Sequence, residues 1–385
     1  MKKLFLSRFI RIKVKGMVLA FLFTAFLFIT NCTEDANKSD LLFYKDSEGI
    51  EKPVKTLIEW EQKRKQILDS MQAAMGELPD RSNLPPFDIH VIDSLKDQHY
   101  TRYTINFTVA EQERLPAYLY VPIRDNTEEK LPAMLALHGT ASMGKGAVDG
   151  QGELSNRAYA KELAQRGYVV IAPDYPSMGD LKDYDFKTDR YQSGTMKSIF
   201  DNMRCVDLLQ TRADVDPERI GVIGHSLGGH NSMFVGAFDT RLKVVVSSCG
   251  WTLFDYDNLK EADDYIKRYG GRLGDWAKDV YMPLLREKYN LDPDSIPFDF
   301  DEVIAAIAPR AFFSNSPLKD EDFDAKGVKA GIASALNVYR FFGAEDKLQV
   351  RYPDSKHDFP TGVRLEAYQF IDKILGHIPN HTEIK

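Results

Sequence analysis

The chain of 385 residues, 43% hydrophobic and 28% charged, is long enough for one large α/β domain or two small ones, and its composition excludes wholesale disorder. Its formal net charge of −7 becomes −13 once residues 1–31, which carry six basic and no acidic residues, are removed. An acidic surface of that size argues against nucleic-acid binding and against general attraction to anionic membranes.

The N-terminus reads first as an address. Lys2, Lys3, Arg8, Arg11, Lys13 and Lys15 precede an apolar run from Met17 to Thr30. That run is shorter than the roughly 20 residues a membrane-spanning helix needs but fits an export signal, so residues 1–31 read as a signal peptide. Ile29-Thr30-Asn31-Cys32 resembles a bacterial lipoprotein cleavage site, which implies an exported protein held at the cell envelope (periplasm or outer membrane) by a lipid on Cys32. This lipid anchor is the one membrane contact expected. Residues 32–52 are expected to form a tether, and residues 53–380 the folded domain.

Residues 55–76 carry apolar positions at near-helical spacing and end at Gly76 and Pro79, which predicts an amphipathic helix. Phe87-Ile89-Val91, Tyr103-Ile105-Phe107-Val109 and Ala117-Leu119-Val121 alternate at period two, as antiparallel strands with one face on a core do. After Leu131 the pattern becomes short continuous apolar runs, at 132–137, 168–172, 220–223, 244–247, 311–314 and 348–352, separated by helical stretches. That is the signature of a parallel sheet covered on both faces, so the fold class is α/β: a mostly parallel, doubly wound sheet behind antiparallel N-terminal strands. The connection from Val246 to Ala311 is far longer than a simple crossover needs. Residues 253–300 are therefore expected to form an inserted cap over the carboxyl ends of the strands, where it bounds a substrate pocket.

Gly224-His225-Ser226-Leu227-Gly228 is a G-x-S-x-G pattern between the strand at 220–223 and a helix beginning at Ser226. In that context the pentapeptide predicts a nucleophile elbow, with Ser226 projecting from a sharp turn and the Leu227 amide placed to stabilise an oxyanion. A serine needs a base to take its proton, and His357, between the last strand and the last helix, is the candidate. A carboxylate after the strand at 311–314 completes the order serine, acid, histidine. Asp320 comes first in that loop and is preferred, with Asp322 its rival. The second oxyanion donor is expected from the amide of Thr140 in His138-Gly139-Thr140, with Ala141 the alternative. His225 and His230 read as packed side chains. Tyr175, Trp251 and Trp276 lie near strand ends, where aromatic faces could stack on sugar rings. Cys205 and Cys249 read as two buried thiols. No metal is expected, because H-E-x-x-H, paired C-x-x-C and EF-hand patterns are absent from the sequence.

Taken in order, Leu137-His138-Gly139-Thr140, Ala172-Pro173-Asp174-Tyr175-Pro176, the run from Asp216 through Ser226 to Gly229, and His357-Asp358-Phe359-Pro360 resemble the α/β-hydrolase superfamily. Within it, they resemble the dienelactone hydrolase and acetyl xylan esterase-like branch. The resemblance implies an α/β-hydrolase fold and hydrolysis of carboxylic esters, acylated carbohydrate among them, through an acyl-serine intermediate without a cofactor. Two other readings fit the same motifs: a serine peptidase of the prolyl oligopeptidase type, and a catalytically silent binding protein on the same fold. The peptidase type usually carries a propeller, which the roughly 100 residues before the parallel sheet cannot build.

Overall fold

The computed structural model describes residues 40–124 and 129–381. The signal peptide expected over 1–31 and the lipidation expected at Cys32 lie outside the described residues. A short antiparallel hairpin of β1 (Phe43–Lys45) and β2 (Glu51–Pro53) leads into α1 (Leu57–Met75). Leu41, Tyr44 and Val54 of this segment are buried in the main core. The expected tether over 32–52 is therefore corrected: from residue 41 the segment is part of the folded body. α1 is begun by a capping box, in which Thr56 accepts from the Glu59 amide and Glu59 accepts from the Thr56 amide.

Among the described residues, the main sheet has nine strands. Its antiparallel part is β3 (His90–Lys96), β4 (Tyr100–Ala110) and β5 (Glu113–Pro122). Its parallel part is β6 (Leu131–Leu137), β7 (Val169–Pro173), β8 (Val215–His225), β9 (Leu242–Ser248), β10 (Ala311–Asn315) and β11 (Leu348–Arg351). The spatial order is β11-β10-β9-β8-β6-β7-β5-β4-β3. β4 keeps the expected alternation, burying Ile105, Phe107 and Val109. β3 does not: it starts only at His90, is the edge strand, and is exposed along its whole length. Alternating apolar residues there face water on both sides, since no described element packs on that edge.

Helices cover both faces: α2 (Tyr159–Gln165), α3 (Gly194–Thr211), α4 (Leu227–Phe238), then α5 (Ala262–Tyr269) and α6 (Leu284–Glu287) in the long connection, and α7 (Phe300–Ile307), α8 (Ala325–Phe341) and α9 (Thr361–Leu375). One apolar cluster lies under α1, α3, α4, α7 and α8, and a second under α2 and α9 on the opposite face. The register brings Leu137 beside Gly224, His225 beside Ser248, and Ser248 beside Asn315. The loops that leave these strands thus start from one rim. β6 is followed by β7 on one side and then β8 on the other, so a crevice opens between the ends of β6 and β8, the usual place for a ligand in a doubly wound sheet.

Candidate active site

Ser226 sits between β8 and α4 with φ 56° and ψ −122°, a conformation that a side-chain-bearing residue adopts only under constraint. Its amide donates to the Ser248 carbonyl at 2.8 Å, and its carbonyl accepts from Gly229 at 2.7 Å. The flanking glycines are sterically required. A Cβ at Gly224 would collide with the Gly228 carbonyl, and one at Gly228 with the Leu137 carbonyl. The Leu227 amide is in the first turn of α4, where a helix leaves its N–H groups without intrahelical partners.

The loop after β6 is held by His138, which is 3% exposed. The Tyr175 amide donates to His138 Nε2 at 3.0 Å, so that nitrogen carries no proton, and Nδ1–H donates to the Gly139 carbonyl at 2.7 Å. Burial pushes the His138 pKa down and keeps the ring neutral. Farther along the loop, the Lys145 amide donates to Asp174 Oδ1 and its ammonium to Oδ2, tying the loop to the end of β7.

His357 lines the same cavity as Ser226. Its Nδ1 donates toward Asp320, 3.0 Å from Oδ1 and 3.1 Å from Oδ2. The Asp320 side chain is 1% exposed, and it also accepts the amides of Asp322 and Phe323 at 3.0 and 3.2 Å. Asp322 is the more exposed neighbour, with Oδ2 3.3 Å from the same nitrogen. The preferred acid, Asp320, and its rival Asp322 therefore both reach the imidazole, from different surroundings.

Several residues around this centre carried no sequence signal. Arg157 donates to the His357 carbonyl at 3.2 Å and to Asp358 at 2.8 Å, clamping the histidine loop from 200 positions away. Cys249 follows β9 with φ 48°, and its thiol lies with Asp320 and His357 in one cluster of donor atoms within 4.8 Å. Burial, reinforced by the charge of Asp320, pushes the thiol pKa up, and Sγ–H donates to the Asp358 carbonyl at 3.1 Å. It is a protonated neighbour, not a thiolate nucleophile. Beneath it, Asn315 donates to Ser248 Oγ and to the Asp358 carbonyl. His225 packs edge-on to His357 at 4.9 Å and stays neutral, because burial holds its pKa far down.

Two cavities meet at Ser226 and Thr140. One, of about 280 Å³, runs past Met143, Val148, Leu154 and Arg157 to His357. The other, of about 160 Å³, lies under the long connection and is lined by His230, Asp257, Asp275, Trp276, Tyr281 and Asp322. His230 is buried. Neither of its ring nitrogens closes a hydrogen bond among the described residues, although the Gly250 backbone lies near, and burial lowers its pKa to about 3. Of the three aromatic residues expected near a substrate, only Trp276 lines these cavities. Trp251 is 1% exposed in the core, with its Nε1–H on Ser314 Oγ at 3.0 Å. Tyr175 is buried with its hydroxyl donating to the Val280 carbonyl, and its amide serves His138 instead. Both are corrected to packing residues: Tyr175 is covered by Val280 and Tyr281, and Trp251 by Phe300 and the helix surface at Gly331, so each ring meets protein first.

A nucleophile elbow, a histidine after the last strand and a shared rim on a doubly wound sheet decide the fold class. The chain has the α/β-hydrolase fold. A glucuronoyl esterase from Solibacter usitatus superposes with a TM-score of 0.67 at 20% identity, covering 89% of this chain and 98% of that one. A carbohydrate esterase family 15 glucuronoyl esterase from Caldicellulosiruptor kristjansonii superposes with a TM-score of 0.63 at 20% identity, covering 88% and 90%. The family described as "Glucuronyl esterase, fungi" matches residues 185–343 of the chain. In sequence, the chain is 29% identical over 326 residues to a Bacillus subtilis (strain 168) protein named "Putative hydrolase YtaP", covering 82% of this chain and 99% of that protein. It is 26% identical over 219 residues to the carbohydrate esterase MZ0003 from an unknown prokaryotic organism, covering 53% of this chain and 49% of that protein.

Proposed function

We propose that the protein is an exported serine esterase that hydrolyses carboxylic esters of carbohydrates, with Ser226 as nucleophile, His357 as general base and Asp320 as the acid that orients it. The observation that carries this reading is the strained serine at the β8–α4 turn sharing one cavity with a histidine whose far nitrogen is held by a buried carboxylate. Ser226 Oγ attacks the ester carbonyl while His357 Nε2 takes its proton. Asp320 keeps the ring in the Nδ1–H tautomer and stabilises the imidazolium. The amides of Leu227 and Thr140 hold the oxyanion. Collapse expels the alkoxide, which takes the proton back from His357, and water activated by the same imidazole then cleaves the acyl-serine.

The two cavities suggest which half of the ester goes where. His357 must return its proton to the departing alcohol, so the alcohol belongs in the cavity that His357 lines, among Met143, Val148 and Leu154. The acyl half then enters the cap-side cavity, whose carboxylates, neutral His230 and aromatic Trp276 and Tyr281 suit a hydroxylated ring. This favours a sugar acid as the acyl group over a sugar acylated on its hydroxyls. The glucuronoyl esterase names among the relatives point the same way. Residues 253–300 act in this reading as the cap that selects the acyl group. Export rests on the N-terminal signal pattern, with Cys32 as the site of lipid attachment and the folded body beginning near residue 41.

The test is a fluorophosphonate probe on the purified protein, followed by assays of uronate esters, acetyl esters and peptide amides. Labelling at Ser226 with turnover of uronate esters is the expected result. No labelling and no turnover would return the silent binding protein to consideration, and fast amide cleavage the peptidase.

A further inference from the structure

Two carboxylates crowd one nitrogen of His357, and their surroundings differ. Asp320 lies 3.0 Å from Nδ1 and is 1% exposed, whereas Asp322 lies 3.3 Å from the same atom and is 57% exposed. An imidazole N–H has a single hydrogen, which Asp320 accepts, so Asp322 acts on the ring through its charge. The turn is built to bring it there: Asp320 accepts the amides of both Asp322 and Phe323, folding the chain back so that the second carboxylate faces the nitrogen. The Phe323 ring then lies 6.0 Å from the His357 ring and 6.3 Å from Trp276. Asp322 and Phe323 also form part of the wall of the cap-side cavity. Asp322 therefore touches the acyl pocket on one side and the general base on the other.

We propose that Asp322 is a positioning residue that supports the His357 imidazolium and does so in proportion to how fully the cap-side cavity is occupied. The inference rests on the esterase reading above. In the open enzyme, water around an exposed carboxylate screens its field, and such a pair contributes little. A ring seated among Trp276, Phe323 and His230 displaces that water. The same charge at the same distance then acts through a lower dielectric just when the imidazolium forms. Contacts made by a remote part of the substrate are in this way converted into transition-state stabilisation, which raises kcat more than it lowers KM.

The experiment compares two esters with the same alcohol, benzyl glucuronate and benzyl acetate, on the full enzyme and on D320N, D322N, D320N/D322N and S226A. The charge term sits at or somewhat above the upper end for exposed ion pairs once the pocket is filled. D322N is thus expected to lower kcat about tenfold on the glucuronate and about twofold on the acetate, with KM little changed and activity partly recovered in D322E. D320N is expected to stay several-fold more active on the glucuronate than D320N/D322N, because the second carboxylate still faces the ring. Equal rates for D320N and the double variant overturn the proposal, as does an equal loss on both esters in D322N. Failure of the underlying reading looks different: S226A would keep its turnover, or the unaltered enzyme would cleave neither ester.

Discussion

His138 acts through a peptide that is not its own. In a trans peptide the C=O and N–H point in opposite directions, so holding the Gly139 carbonyl toward His138 Nδ1 turns the Thr140 N–H away from that ring. Thr140 borders both cavities at Ser226, so if its amide is the oxyanion donor proposed above, the histidine sets its aim. His138→Phe keeps the shape and loses both polar atoms. It is expected to lower kcat by about 10- to 100-fold with KM little affected, near the lower range for loss of one oxyanion donor. Steady-state kinetics well below the melting temperature check this, because the orphaned Tyr175 amide should also cost about 1–3 kcal/mol of stability. A variant with lowered melting temperature and unchanged kcat would remove His138 from any role in aiming the donor. The residues at this scale differ in how far the sequence announced them. Ser226 was readable because its glycines answer to a local steric need. Between Asp320 and Asp322, two positions apart in one loop, order gave only a preference for the first, and burial is what separates them. Arg157 and Cys249 gave no sign, since their roles depend on contacts with the His357 loop that the fold alone creates.

At the scale of the element, the elbow is a collision avoided. α4 begins so close to β6 that any side chain at Gly228 would enter the Leu137 carbonyl. Gly228→Ala is expected to push the helix off its seat, destabilise the fold by about 1–3 kcal/mol or more, and abolish fluorophosphonate labelling. Gly362, in the first turn of α9, supplies the contrast: a Cβ there meets nothing within 4 Å, and its φ is ordinary. Gly362→Ala is expected to raise stability by about 0.4–1 kcal/mol with labelling intact, as thermal melts and the probe would record. The parallel strands were legible as short continuous apolar runs buried on both faces, and long helices such as α3, α8 and α9 by their repeating apolar positions. α7 was not: Phe300–Ile307 is two turns at the end of the long connection, too short to establish a helical period of its own. β3 misled in the opposite sense, since period-two alternation at a sheet edge need not imply a buried face.

Across the whole molecule, the folded body starts earlier than charge and composition suggest. Leu41, Tyr44 and Val54 enter the core that α1 closes, so a protein beginning at residue 41 should melt with the full-length chain, while one beginning at residue 55 should melt several degrees lower. The long connection between β9 and α7 bears on global stability through Asp257, which is 2% exposed at the wall of the smaller cavity and accepts the Trp276 indole N–H at 2.8 Å. Burial raises its pKa from 3.8 to about 7, against the pull of that hydrogen bond and of Arg272. Between those two values the unfolded chain has already released a proton that the folded chain still holds. Stability from this group is therefore lost as pH rises from about 4 toward 7, and the loss levels off above the folded pKa. Asp257→Asn keeps an acceptor for the indole and cannot ionise. Its melting temperature relative to the unaltered protein should climb steadily across that interval and stay level beyond about pH 8. A difference that is flat from pH 4 to 8 would mean that Asp257 is ionised in the folded protein throughout, and that burial of its side chain does not hold a proton on it.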